Sequence, residues 1–258
     1  MKLYVFKCGT LKSQKQFFTA GIDIGKAFEV PVPFFLITHP KGYVLFDTGN
    51  ALEVAKDKIK HWGEKVVSIY DPIMSEEEYV VNQLAKLNIK AEEIKHVIFS
   101  HLHLDHAGAC GAFPNATYYV QKEELKHAYV HDFYQKGAYI RADFDKPDLK
   151  WYLLDGYEED PFDLFGDGKI KIIFTPGHTP GHQCLMVDLE HSGKVFLTAD
   201  SVYTEEILEK DLLPGLVYSP ADTVKSIKKV KNLKNQGVKI FTGHDPDAKI
   251  KYAPEYYD

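Results

Sequence analysis

Six consecutive positions, His101-Leu102-His103-Leu104-Asp105-His106, constrain this chain more than any others. Three imidazoles and a carboxylate alternate with leucines. Core packing needs no such pattern, but metal coordination does. Neutral imidazole and ionised carboxylate are the side chains that bind zinc-like ions at neutral pH. His178, Asp200 and His244 stand later in the chain in similar settings, and the full set has enough donors for two ions.

Those settings are strand ends. Val97-Ile98-Phe99-Ser100 precedes the cluster, and Ile172-Ile173-Phe174-Thr175 precedes Pro176-Gly177-His178. Val195-Phe196-Leu197-Thr198-Ala199 leads into Asp200, and Lys239-Ile240-Phe241-Thr242-Gly243 into His244. Rigid strands that deliver ligands from their C-terminal ends are how α/β proteins build sites. His101 and His103 lie two apart on an extended segment, so both can point one way. With His178 they make three nitrogens for a first ion. Asp105, His106 and His244 suit a second ion, and Asp200 has two oxygens with which to bridge. Gly177 and Gly243 allow close backbone approach beside two of the histidines. A hydroxide held between the ions, available because metal lowers the pKa of water from about 16 towards about 7, would attack an ester-like or amide-like bond.

Further strands are expected at 3–6, 34–38, 43–47, 96–100, 117–121, 170–175, 183–188, 195–199 and 238–242. Helices are expected from near Ser75, Lys122 and Pro220. Ser75 followed by Glu76, Glu77 and Glu78 is a capped start with acids facing the dipole. From Asp222 onward, Val224, Ile227, Val230 and Leu233 form an apolar stripe. Residues 127–165 have weak periodicity and fit either a surface excursion or a substrate-covering loop. The length of 258 residues and 45% hydrophobic content suit one domain over 1–258.

A net charge of −6 with scattered basic residues argues against a nucleic-acid binder. No apolar stretch is long enough to span a bilayer, and the start of the chain lacks a signal-peptide core. Three cysteines without a CxxC pair point to a reduced, cytoplasmic protein. A homodimer is the base-rate expectation.

HLHLDH, the TPGH at 175–178, and the surroundings of Asp200 and His244 together resemble the metallo-β-lactamase superfamily. The resemblance implies a four-layer αβ/βα sandwich, with the site at one edge of the sheets and the ligand roles assigned above. It also implies a supporting role for Asp47. Within the superfamily the chain is most similar to the N-acyl homoserine lactonases, through HLHLDHAG at 101–108, TPGHTPGHQ at 175–183 and Asp200-Ser201-Val202-Tyr203. The similarity implies that Tyr203 donates a hydrogen bond to the lactone carbonyl. Asp105 passes the proton to the leaving alkoxide, and the product is an N-acyl homoserine. Two divalent ions are implied, zinc first, with iron, manganese and cobalt accepted by the same donors. The acyl pocket is expected from residues 12–33, 50–74 and 127–150, with Phe28, Phe34 and Phe113 as either wall or core.

Several alternatives share the ligands. A glyoxalase II thioesterase adds a C-terminal helical region, whereas fourteen residues follow His244 here. A class B β-lactamase usually has cysteine in place of Asp200, and a flavodiiron protein has glutamate in place of His103. A phosphodiesterase would show a basic arm. A structural zinc module would be closed and cysteine-rich. His39, His61, His96, His127, His131 and His191 receive no role, and His182 is read as support rather than ligand.

Overall fold

Alternating apolar residues sort the chain into two sheets in a computed structural model describing residues 1–258. The first contains β1 (Lys2–Gln14), β2 (Ala27–His39), β3 (Gly42–Phe46), β4 (Asp71–Ile73), β5 (Ile94–Ile98), β6 (Thr117–Gln121) and β7 (Lys150–Leu154), in the order β4-β1-β2-β3-β5-β6-β7. The second contains β8 (Phe162–Asp163), β9 (Ile170–Phe174), β10 (Gln183–Leu189), β11 (Gly193–Leu197) and β12 (Lys239–Phe241), in the order β12-β11-β10-β9-β8. The helices are α1 (Leu52–Trp62), α2 (Glu64–Val67), α3 (Val80–Lys86), α4 (Lys122–Tyr129), α5 (Arg141–Phe144), α6 (Glu205–Lys210) and α7 (Pro220–Asn235).

The period of two along each strand decides what it packs against. Val5, Ile37, Val44 and Ile98 of the first sheet meet Ile172, Leu185, Val187 and Val195 of the second in one buried core. Their alternates, among them Leu36, Leu45, Val97 and Phe196, join the helical residues Val54, Leu84 and Val230 in a second core. Each such side chain removed from water contributes roughly 1.5–3 kcal/mol. The result is the four-layer sandwich of the metallo-β-lactamase fold.

Strand direction then positions the site. β3 and β5 are parallel, so their C-terminal ends share an edge. β9 and β11 both run antiparallel to β10, and β12 runs parallel to β11, so those three also end together.

Every strand expected from the sequence is present, and apart from β1 and β2 the ends shift by no more than a few residues. β5 stops at Ile98, and Phe99 and Ser100 turn the chain into the cluster. β1 and β2 run well beyond the expected 3–6 and 34–38. β4, β7 and β8 were not foreseen. β4 contains Pro72 and β8 is two residues long, so neither has room for a periodic signal. At Ser75 the backbone N–H does donate to Glu78 (2.9 Å), but only a short 3-10 turn follows. The chain re-extends at Tyr79, and the α-helix starts at Val80.

In α7 the apolar-stripe reading needs correction. Val224 is exposed, and the buried face is Thr223, Ser226, Ile227 and Val230. Small polar residues face inward because that part of the helix lies on the loop carrying His178, where Ser226 Oγ donates to the Pro176 carbonyl (2.7 Å). The 127–165 excursion divides its roles: β7 extends the first sheet, while residues 134–138 form a cavity wall.

Candidate metal centre

All seven donors predicted from the sequence converge at the shared strand edge, and all are buried. They fall into two groups. His101, His103, His178 and Asp200 form one, and Asp105, His106 and His244 the other.

In the first group His178 Nε2 lies 2.9 Å from His103 Nδ1, 3.2 Å from His101 Nε2 and 3.2 Å from Asp200 Oδ2. In the second, Nε2 of His106 and of His244 lie 3.7 and 3.6 Å from Asp105 Oδ2. Asp200 faces both. Its Oδ1 is 3.2 Å from His106 Nε2 and 3.1 Å from His244 Nε2, while Oδ2 faces the first group.

The outer nitrogens explain how these rings are aimed. His178 Nδ1 donates to the Leu216 carbonyl (3.1 Å) and His244 Nδ1 to the Pro31 carbonyl (2.8 Å). His106 Nδ1 donates to Asp47 Oδ2 (2.9 Å), which also accepts the Ser100 hydroxyl (2.8 Å). That hydroxyl oxygen in turn accepts from His101 Nδ1 (2.9 Å). With the proton fixed on each Nδ1, four Nε2 lone pairs point inward, as metal-binding histidines require. Asp47 thus takes up the supporting role expected of it. It sits at φ 57°, a left-handed turn that swings its carboxylate beneath the ligand loop.

The donors fit divalent cations. Four donors around one tetrahedral ion at roughly 2.0–2.1 Å would stand about 3.4 Å apart, close to the observed spacings. His103 Nε2, His106 Nε2 and Asp200 Oδ1 are buried with no hydrogen-bond partner, a costly condition that a cation beside the latter two relieves. Burial pushes His101 and His103 well below the usual imidazole range. For His106 and His244 burial acts the same way, but the Asp200 and Asp105 carboxylates outweigh it and raise both. Binding an ion there would release protons.

Close backbone approach is also realised. A Cβ at Gly243 would lie 2.3 Å from the Ala199 carbonyl oxygen, and one at Gly177 2.5 Å from the Thr223 nitrogen.

A cavity of about 360 Å³ opens on the centre, within the range of small-molecule sites. His103, Asp105, His178, Asp200, His244 and Tyr203 line its polar end. Its mostly apolar walls come from residues 11–18, 66–70, 134–138 and 215–217. The first three segments overlap the loops expected to supply a pocket; 215–217 was missed. Phe34 and Phe113 are core residues, and Phe28 packs edge-on against Phe18 outside the cavity.

Tyr203 is buried, with its hydroxyl 3.2 Å from His178 Nδ1. His182 is buried beside Thr175, its Nδ1 2.9 Å from that hydroxyl, and belongs to neither donor group. The six histidines given no role stay outside both groups. The three cysteines are free and buried; burial pushes the Cys8 and Cys184 thiols up to about 12.

Residues 27–244 match the family model described as the Metallo-beta-lactamase superfamily. The N-acyl homoserine lactonase AttM of Azorhizobium caulinodans is 46% identical over 261 residues, covering 100% of this chain and 99% of that protein. The N-acyl homoserine lactonase AiiA of Bacillus thuringiensis subsp. kurstaki is 32% identical over 99% of this chain and 98% of its own length. Among solved structures, an N-acyl homoserine lactone hydrolase with the product N-hexanoyl-L-homoserine bound at its catalytic metal centre superposes with a TM-score of 0.88, at 30% identity over 99% of this chain and 98% of that one.

Proposed function

This chain belongs to the metallo-β-lactamase superfamily of metal-dependent hydrolases, and from that premise we propose that it opens the lactone ring of N-acyl homoserine lactones, quenching signals built on them. The observation that carries this reading is an apolar cavity ending on paired donor groups with a buried phenol beside them. The polar end suits a lactone ring and the apolar walls suit an acyl chain.

Two cations would be held, one by His101, His103 and His178, the other by Asp105, His106 and His244, with Asp200 close to both groups. Divalent ions at such donors supply Lewis acidity and lower the pKa of water to about 7. Zinc is the expected ion, since nitrogen and carboxylate donors in four-coordinate spacing suit it.

The chain's own groups do the rest. Tyr203 keeps its proton at neutral pH, because burial and then the nearby Asp200 charge raise its phenol well above its ordinary value. His178 Nδ1 already donates to Leu216, so it offers no competing acceptor for a substrate-directed hydroxyl. The Tyr203 O–H donates to the carbonyl oxygen as it gains charge, and the apolar walls exclude water around the acyl chain. As water adds to the carbonyl carbon, the Asp105 carboxylate takes the released proton. The ring C–O bond breaks, and that proton passes to the departing oxygen, giving an alcohol and a carboxylic acid, which then loses its remaining proton to solvent.

Residues 1–258 act as one catalytic unit, and the free thiols suit a reducing cytoplasm. No helix is long and apolar enough to cross a membrane. A homodimer remains part of this reading on base rate alone.

A substrate panel with elemental analysis tests the proposal. It compares acyl homoserine lactones of several lengths, simple γ- and δ-lactones, S-lactoylglutathione, a phosphodiester and a β-lactam. Acyl homoserine lactones should give the highest kcat/KM; preferential thioester turnover would replace the reading with a glyoxalase II-type activity.

A further inference from the structure

Outside the donor set lies a buried carboxylate that the chemistry above does not use. Glu124, on α4, has no exposed surface. One oxygen, Oε1, accepts the backbone N–H of Leu102 (2.9 Å) and the hydroxyl of Tyr139 (3.1 Å). Leu102 stands between His101 and His103. The Tyr139 ring packs edge-on against His103, with centroids 4.6 Å apart. The same segment is tied to the ligand loop again, where Leu104 N–H donates to the Ala138 carbonyl (2.8 Å).

The loop bearing His178 converges on the same residue. A Cβ at Gly181 would lie 2.3 Å from Glu124 N and 2.4 Å from Glu124 Cβ, so that loop rests directly on the glutamate. The second Glu124 oxygen and the Thr179 hydroxyl are both buried and out of hydrogen-bonding geometry with any group. Burial raises the Glu124 carboxyl above its ordinary range, and the nearby Thr179 hydroxyl acts against that shift. No lysine or arginine pairs with this carboxylate. A buried carboxyl of this kind without a basic partner is costly to fold and adds little bulk stability.

We propose that Glu124 is a positioning residue for the first cation: it joins the His101–His103 loop, the Tyr139 wall and the His178 loop at one point, and so sets the spacing of those three imidazoles. In the second group His106 is supported by Asp47 and His244 by Pro31, and none of its members is hydrogen-bonded to Glu124. The inference rests on the two-cation reading and predicts that the two sites respond unequally. Outer partners of metal ligands typically change affinity by about 10–100-fold when removed.

The test uses the full chain, stripped of metal and titrated with cobalt(II), following the visible absorption bands and the dissociation constant of each equivalent. Glu124→Ala should weaken one equivalent by about 10–100-fold and leave the other within about threefold. Glu124→Gln should restore it to near wild type, because an amide oxygen still accepts from Leu102 and Tyr139 while its NH2 can donate to Thr179. Circular dichroism and melting monitor the fold. If Glu124→Ala is insoluble, Tyr139→Phe decides: loss of one hydrogen bond should weaken the same equivalent by about three- to tenfold. Unchanged affinities in the soluble variants, or equal weakening at both sites, would overturn the inference. A wild-type chain that binds no cobalt would instead remove the two-cation reading, and this inference with it.

Discussion

Replacing Tyr203 by phenylalanine isolates one hydrogen atom's contribution to turnover. The ring is buried and packs against Phe18, His178 and His244 at centroid distances of 5.4, 5.7 and 5.6 Å, contacts that phenylalanine keeps. The hydroxyl's neighbour in the resting site, His178 Nδ1, is already satisfied by Leu216 at 3.1 Å. Removing the hydroxyl leaves the nearby Asp200 carboxylate among its histidine partners, and the change in folding stability should stay within about 1 kcal/mol. Catalysis should respond very differently. Loss of one donor to a developing oxyanion costs about 2.7–4 kcal/mol, or roughly 100- to 1000-fold in kcat. The assay is hydrolysis of N-hexanoyl homoserine lactone, followed by acid release, with metal content and melting temperature measured on the same samples. Two metal equivalents with a fall in kcat of at least about 100-fold is the expected outcome. A kcat within about threefold of wild type would refute the assigned role, and a loss of metal would move the residue from substrate contact to ligand support.

Other perturbations probe different parts of the structure. Asp200→Asn should reduce bound zinc from two equivalents to one or none, since one Asp200 oxygen faces each donor group; retention of two equivalents would exclude Asp200 as the shared ligand. Gly243→Ala should cost about 1–3 kcal/mol in urea unfolding through overpacking, because the new methyl would meet the Ala199 carbonyl at 2.3 Å; an unchanged midpoint would contradict that close approach. The His61–Asp143 pair, 2.8 Å apart, should make stability depend on pH. Its hydrogen bond to Asp143 raises His61 above the ordinary 6.5, so the stabilisation is complete below 6.5 and fades as pH climbs through the raised value. Melting temperature should therefore fall more between roughly pH 6 and pH 9 for wild type than for His61→Gln, and parallel curves would argue against the pair.

The donors that cluster at the site were legible because their signals are local. A strand of β-branched and aromatic residues ends, and a histidine or aspartate follows within a few positions; both halves of that statement can be read from adjacent letters. The aim of the rings was less accessible. That Asp47 reaches His106 and Ser100 depends on β3 lying beside β5, although a resemblance to known relatives pointed at the residue.

Sequence alone therefore determined which atoms could bind metal, and that strand ends would present them, because chemistry and strand periodicity are properties of short segments. Only the tertiary structure decided what surrounds them. The cavity wall is assembled from residues 11–18, 66–70, 134–138 and 215–217, and Glu124 meets Leu102, Tyr139 and Gly181 from three separate stretches. Hydrophobicity drives an apolar side chain out of water but does not say whether it ends in a core, like Phe34 and Phe113, or on the face of a cavity, like Phe17 and Ile69. That choice follows from which elements meet, and distance along the chain hides it.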